Sequence, residues 1–288
     1  MGRRKTFDEL TIADNFIFSK VMLNEKLAKH FLEVILGCEI KAISYPVYEH
    51  YISVRADAKS IRLDITLEDD THTIYNLEMQ TAMKTGLRKR SRYYQDLIDL
   101  DLIQKGTDYD KLNHSIVIFI CTFDLFKKDH YVYRFRNMCE QIDGLELDDG
   151  TEKVFVNTKG HVGDVDEEFK QVMKIFNGLA VEGSFAKELQ DEVEKVKASK
   201  EWRREYMTLQ ILLDETMAEG RAEGLEEGAR KTLVAQVCKK IQKGKLVSCI
   251  ADELEETEER VQQIVDIAAK YGPDYDVEAI CAELMSVR

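Results

Sequence analysis

The chain of 288 residues has no long apolar run, no paired cysteines and no surplus of positive charge. No stretch approaches the roughly 18 apolar residues that a membrane helix needs. The longest candidate, Ser115 to Phe123, has only the length of a buried strand. The N-terminus, Met-Gly-Arg-Arg-Lys-Thr-Phe, leads into a polar, amphipathic stretch with no apolar signal region, which predicts a cytoplasmic protein without a membrane partner. The six cysteines (Cys38, Cys121, Cys139, Cys238, Cys249, Cys281) form no CxxC pair, and several sit within apolar patterns, as reduced core cysteines do. The six histidines are equally dispersed, and no His/Cys set has zinc-ligand spacing, so no structural zinc is expected. A net charge of −13 argues against non-specific nucleic-acid binding by the whole surface, while leaving room for a local basic patch.

With 44% hydrophobic and 33% charged residues, the chain falls in the globular rather than the disordered range. Phe7 to Leu36 has helical spacing and stops at Gly37; Pro46 follows, and from about Tyr48 to Gln80 the pattern has period two. Lys84 to Gln104 returns to helical spacing. Ser115 to Phe123 is a β-branched and aromatic run typical of a strand buried on both faces. Tyr131 to Arg136 and Lys153 to Asn157 are shorter strand candidates. Helix, strands, helix, strand is an α/β order. Beyond about Gly160 the pattern is helical alone, and Phe185 to Thr216 is long and heavily charged. Glu219-Gly220, Glu223-Gly224 and Glu227-Gly228 repeat at a spacing of four. On a helix, such glycines form one stripe and cost about 1 kcal/mol each relative to Ala. A soft linker is the favoured reading, and a closely packed partner helix is the other.

Chemistry concentrates in one predicted hairpin. On Ile61 to Glu68, Ile61, Leu63, Ile65 and Leu67 point to one face, and Arg62, Asp64, Thr66 and Glu68 to the other. Asp69 to His72 supplies a turn. Tyr75, Leu77 and Met79 then alternate with Asn76, Glu78 and Gln80. A turn centred on Thr71 sets Asp64 opposite Glu78, where like charges destabilise a ladder unless a proton or cation intervenes. Two carboxylates with an amide or carbonyl oxygen suit Mg²⁺ or Mn²⁺, and the spacing equally fits an ordinary solvated acidic face. The next segment carries the densest basic cluster, Lys84, Arg88, Lys89, Arg90 and Arg92, placed where a phosphate backbone would dock.

Asp64 with Asn76-Leu-Glu-Met-Gln80 resembles the Rpn family of recombination-promoting nucleases and transposases, a branch of the PD-(D/E)XK nuclease superfamily. Further similar elements are Asp14-Asn-Phe-Ile-Phe-Ser-Lys20, Arg90-Ser-Arg-Tyr-Tyr94, Gly106-Thr-Asp-Tyr109 with Leu112, and Val117-Ile-Phe-Ile120. Asn157-Thr-Lys-Gly160, Trp202-Arg-Arg-Glu-Tyr206 and the Glu-Gly repeat extend the likeness along nearly the whole chain. The resemblance implies a restriction-endonuclease-like mixed sheet flanked by helices, with an all-α C-terminal extension. It implies divalent-metal-dependent hydrolysis of DNA by Asp64, Glu78 and Gln80, with Asp64 and Glu78 as metal ligands. Gln80 stands where the superfamily usually has lysine, and can orient water only by hydrogen bonding. A further acid from the N-terminal helix would be Asp14 or Glu33; Asp14 is the better candidate, with an N-cap role as its alternative.

The expected organisation is a nuclease-like core over 1–180, a charged helical linker over 181–231, and a small helix-turn-helix-like module over 232–288. The second helix of that module is approached by Glu253, Glu255, Glu256, Glu258 and Glu259, which disfavours DNA and favours protein interaction or homo-oligomerisation through the C-terminal helices. Val261, Ile264, Val265 and Ala268 read as its core. Two functions therefore compete: a DNA endonuclease linked to recombination or transposon-like mobility, and a catalytically weak or inactive nuclease fold serving DNA binding or protein interaction in a defence or toxin–antitoxin system.

Overall fold

A computed structural model describes residues 4–44, 47–52, 61–103, 106 and 108–286. Gln104 and residues 53–60, parts of predicted elements, Pro46, which separates two of them, and Thr107 of the Gly106–Tyr109 stretch lie outside the described residues. The chain divides into two compact units, Met1–Met207 and Thr208–Arg288.

In the first unit the predicted N-terminal helix is broken into a short turn followed by α1 (Asn15–Val21) and α2 (Glu25–Leu36). Asn24 causes the second break, since its side chain accepts a hydrogen bond from Leu27 N and caps α2. Gly37, at φ 66°, ends that helix in the left-handed conformation that glycine tolerates best. The strands are β1 (Val47–Ile52), β2 (Ile61–Glu68), β3 (Ile74–Gln80), β4 (Ser115–Cys121), β5 (Val132–Phe135) and β6 (Thr151–Asn157). They form one sheet in the order β1-β2-β3-β4-β6-β5. The β1–β2–β3 meander is antiparallel, β3–β4 and β4–β6 are parallel, and β5 returns antiparallel to β6. The sheet is thus mixed, as the resemblance implies. The parallel step from β3 to β4 is spanned by α3 (Leu87–Leu102), because parallel neighbours need a crossover. Lys84 falls before α3, so the helix expected from Lys84 begins only at Leu87 and carries the other four residues of the basic cluster without it.

Both faces of the sheet are covered. Leu87, Tyr94, Leu97 and Ile98 of α3 pack on Ile74, Val117, Phe119, Cys121 and Phe155. Phe18 of α1, Phe31 of α2 and Phe176 of α4 (Glu167–Phe176) form a second aromatic group, with centroids 5.7–6.1 Å apart. The core does not end at 180. Helix α5 (Ser184–Ala198) buries Phe185, Ala186, Leu189, Val193 and Val196. Tyr206, near the start of α6 (Lys200–Gln242), packs its ring 5.8 Å from Phe7 and 5.1 Å from Phe16. Apolar positions spaced through a charged stretch thus extend the first unit to Met207.

The Glu-Gly repeat lies inside α6 rather than in a soft linker. Ala, Glu, Arg and Leu around the glycines are strong helix formers, and Arg230–Glu226 and Lys231–Glu227 add i,i+4 pairs at 2.9 and 2.8 Å. The space beside Gly220, Gly224 and Gly228 is open among the described residues, so no closely packed partner helix accounts for them. In the second unit, the end of α6 joins α7 (Val247–Leu254), α8 (Glu258–Ala268) and α9 (Val277–Ser286) around Val234, Val237, Ile250, Val261, Ile264, Ala268 and Ile280. No described helix is long and apolar enough to cross a membrane.

Candidate metal and nucleic-acid site

The β2–β3 turn is held by one carboxylate. Asp69 Oδ1 accepts from Thr71 N at 2.8 Å and Thr73 N at 2.9 Å, while Tyr75 Oη donates to Asp69 Oδ2 at 2.7 Å. That turn fixes the register at Ile65↔Leu77, Thr66↔Asn76 and Leu67↔Tyr75. One step further along the ladder sets Asp64 across from Glu78. The two meet: Asp64 N donates to Glu78 Oε1 at 3.0 Å, and Met79 N donates to Asp64 Oδ2 at 3.2 Å.

The polar face is not solvated. Asp64 and Glu78 are only 7% and 2% exposed, and Gln80 and Asn76 are buried with them. The cover is α3. In the parallel ladder Asn76, Glu78 and Gln80 stand beside Val117, Phe119 and Cys121, the residues on which α3 packs. Burial, followed by the charge of Asp64, pushes the Glu78 carboxyl up to about 8, against the opposing pull of Asp64 N–H, Arg90 and Asn76. At neutral pH the site therefore relieves its crowded charge by keeping a proton on Glu78.

Two further side chains belong here. Asn15, at the start of α1, donates from Nδ2 to Asp64 Oδ2 at 3.0 Å. Asn76 donates from Nδ2 to Ile65 O at 3.3 Å and to Glu78 Oε1 at 3.4 Å, and its Oδ1 is buried without a partner. Asp64, Glu78 and Asn76 thus offer two carboxylates and an unsatisfied amide oxygen, the hard donor chemistry of a divalent cation. Among the described residues no three of His, Cys, Asp and Glu converge as a metal cluster, so amide oxygens and water would complete such a shell.

Asp14 is placed elsewhere. It sits at the N-cap position of α1 without a side-chain cap bond. Its carboxylate instead accepts from Lys5 Nζ at 2.8 Å and from Thr11 N at 2.8 Å. Its neighbour Asn15, which no spacing pattern had marked, is the α1 residue that reaches Asp64. Glu33 is occupied by Lys29 at 2.6 Å and by Ile40 N at 2.9 Å.

The basic residues divide. Lys84, Arg88, Lys89 and Arg92 are exposed. Arg88 is steadied by donating to Leu125 O at 3.2 Å and by lying 4.7 Å from the Phe126 ring centroid. Arg90 turns inward, with Nη2 3.8 Å from Glu78 Oε2. Its place was visible in the sequence, three residues after Leu87 and four before Tyr94 on the buried stripe of α3.

The model of the PD-(D/E)XK nuclease family transposases matches residues 15–212, which include Asn15, Asp64, Asn76, Glu78, Gln80 and the whole of α3. No curated protein and no solved structure matches the chain.

Proposed function

We propose, for a chain that belongs to the PD-(D/E)XK nuclease family transposases, that it is a divalent-metal-dependent DNA endonuclease acting in recombination or transposon-like mobility. The observation that carries the proposal is the pair of buried carboxylates set across one ladder, Asp64 and Glu78, with Glu78 holding its proton up to about 8. Nothing in a purely structural hairpin favours burying two acids face to face. A cation such as Mg²⁺ or Mn²⁺, held by Asp64, Glu78 and the Asn76 amide oxygen, supplies a Lewis acid that draws charge from a phosphate.

The protein's own residues then have distinct tasks. Asn15 and Met79 N fix Asp64 by hydrogen bonds at 3.0 and 3.2 Å, so its orientation is set before substrate arrives. Glu78 would hold such a cation as a carboxylate, having lost its proton. Gln80, two residues along the same strand face, hydrogen-bonds and orients the attacking water but cannot take its proton. Lys84, Arg88, Lys89 and Arg92 dock flanking phosphates. Net hydrolysis adds one water across a P–O bond, leaving a phosphate monoester and a hydroxyl.

Supercoiled plasmid incubated with the purified chain, with and without Mg²⁺ or Mn²⁺, tests the proposal beside Asp64→Ala and Glu78→Ala. Cutting by the parent alone, and only with metal, is expected. Intact plasmid under every metal would favour the inactive-scaffold reading, which the glutamine at position 80 also suits. Equal cutting by the variants would displace the site.

A further inference from the structure

Arg90 differs from the basic residues around it in what its nitrogens lack. Its guanidinium lies 5.2 Å from the ring centroid of Tyr94 and 5.3 Å from that of Phe119, faces that favour a flat cation. Nε and Nη2 are buried, and neither has a hydrogen-bond partner. At 3.8 Å from Nη2, Glu78 Oε2 is too far to accept a hydrogen bond. A settled Arg–carboxylate pair closes to about 2.7–2.9 Å. Leaving charged donors unmet in a buried site is costly, and here two adjacent donors on one guanidinium edge are left so. That edge is the fork that binds two oxygens of a phosphate at once.

We infer that Arg90 grips the phosphate to be cut, donating from Nε and Nη2 to its two non-bridging oxygens, while the exposed bases hold its neighbours. The inference rests on the nuclease reading of the Asp64–Glu78 site. It assigns to α3 the fixed positive charge that Gln80 does not bring to β3. The competing role is a buried counter-charge for Glu78 alone.

Binding of a short fluorescent DNA duplex to the full chain in EDTA, at fixed salt, separates the two. Glu78→Gln removes the carboxyl beside Arg90, so that no charge at position 78 bears on the comparison, and serves as the background. Adding Arg90→Gln to Glu78→Gln is expected to weaken binding at least about tenfold. Adding Arg88→Gln or Lys89→Gln, each removing one exposed charge, is expected to cost only about threefold. Arg90→Lys, which keeps the charge without the fork, should fall between. With Arg90 intact in the Glu78→Gln chain, its Nε–H nuclear magnetic resonance signal should shift on addition of the duplex, a readout that does not depend on any variant at position 90 folding. Arg90→Gln costing no more than Arg88→Gln in that background, or a stationary Nε–H signal, overturns the inference. If plasmid is cut and Arg90 proves silent, the grip fails alone. If plasmid is never cut and Arg90 still responds, the phosphate grip stands and the nuclease reading falls.

Discussion

Replacing Glu78 with glutamine should stabilise the metal-free protein near pH 8 and leave it almost unchanged near pH 5, given a carboxyl pushed up to about 8. Burial comes first among the causes and the charge of Asp64 second. Between an ordinary value of 4.5 and about 8, the folded chain keeps a proton that the unfolded chain has released. Because the folded value is the higher one, the stabilising contribution is complete below 4.5 and is lost as pH rises through about 8. From 4.5 to about 8 is roughly 3.5 pH units, and at about 1.4 kcal/mol each the ceiling is about 5 kcal/mol. Part of that ceiling is shared with Asp64 through their mutual repulsion, so a difference of about 2–4 kcal/mol is expected.

Glutamine keeps the geometry while removing the titration. Its Oε1 can still accept from Asp64 N and Asn76 Nδ2, the two donors that Glu78 Oε1 engages at 3.0 and 3.4 Å. Urea unfolding followed through Trp202, the single tryptophan of the chain and a residue of the unit that carries the site, reads the effect. In EDTA the parent midpoint should fall as pH is raised from about 5 to 9, while that of Glu78→Gln stays level. Mg²⁺ should restore the parent at high pH and do little for the variant. Parallel pH profiles for the two proteins, or a less stable variant near pH 8, would refute the account of the buried pair.

Three other outcomes follow from particular contacts. Asn15→Ala removes the 3.0 Å bond that fixes Asp64, and calorimetric titration with Mg²⁺ should show affinity lowered by about ten- to hundredfold without loss of fold. A chain ended after residue 207 should unfold cooperatively by circular dichroism, whereas one ended after residue 180 should not, because it lacks Phe185, Leu189, Val193, Val196 and Tyr206, each contributing about 1.5–3 kcal/mol by burial. Alanine at Gly220, Gly224 and Gly228, where nothing stands within 4 Å of an added Cβ, should strengthen the helix by about 1 kcal/mol per site; a loss of helical signal instead would mean that a partner packs there.

How far the molecule could be read from its residues depended on whether an interaction was local. The hairpin was legible because strand alternation has period two and a short turn links its arms, so the register followed once Asp69 was seen to close that turn. The run from Ser115 was legible because β-branched residues on both faces need cover on both faces. The burial of the acidic face was not legible. An alternating strand with polar residues reads as half solvated, and its cover comes from α3, brought over the sheet by the crossover to β4. Asn15 stayed hidden for the same reason, since it reaches Asp64 across 49 residues of chain. The buried positions of α5 were obscured because its solvent face carries so many charges.

One local sign was present and distinguishes two kinds of inward-turned cation, Lys20 buried and Arg90 partly so. Lys20 and Arg90 each interrupt a buried helical stripe, on α1 and α3, and each lies over aromatic rings. An isolated cation on such a stripe implies an acidic side chain on the element opposite, and both have one: Glu205 for Lys20 and Glu78 for Arg90. Their distances differ. Lys20 Nζ closes to 2.7 Å on a carboxylate outside the candidate site, the geometry of a settled ion pair. Arg90 stops at 3.8 Å from a carboxylate inside it, with two donors unmet. The stripe alone cannot separate these cases, because it records only that a cation faces inward. The unmet donors of Arg90 do separate them, since burial without hydrogen bonds is tolerated where a ligand is to arrive. That contrast is why the phosphate is placed at Arg90 and not at Lys20.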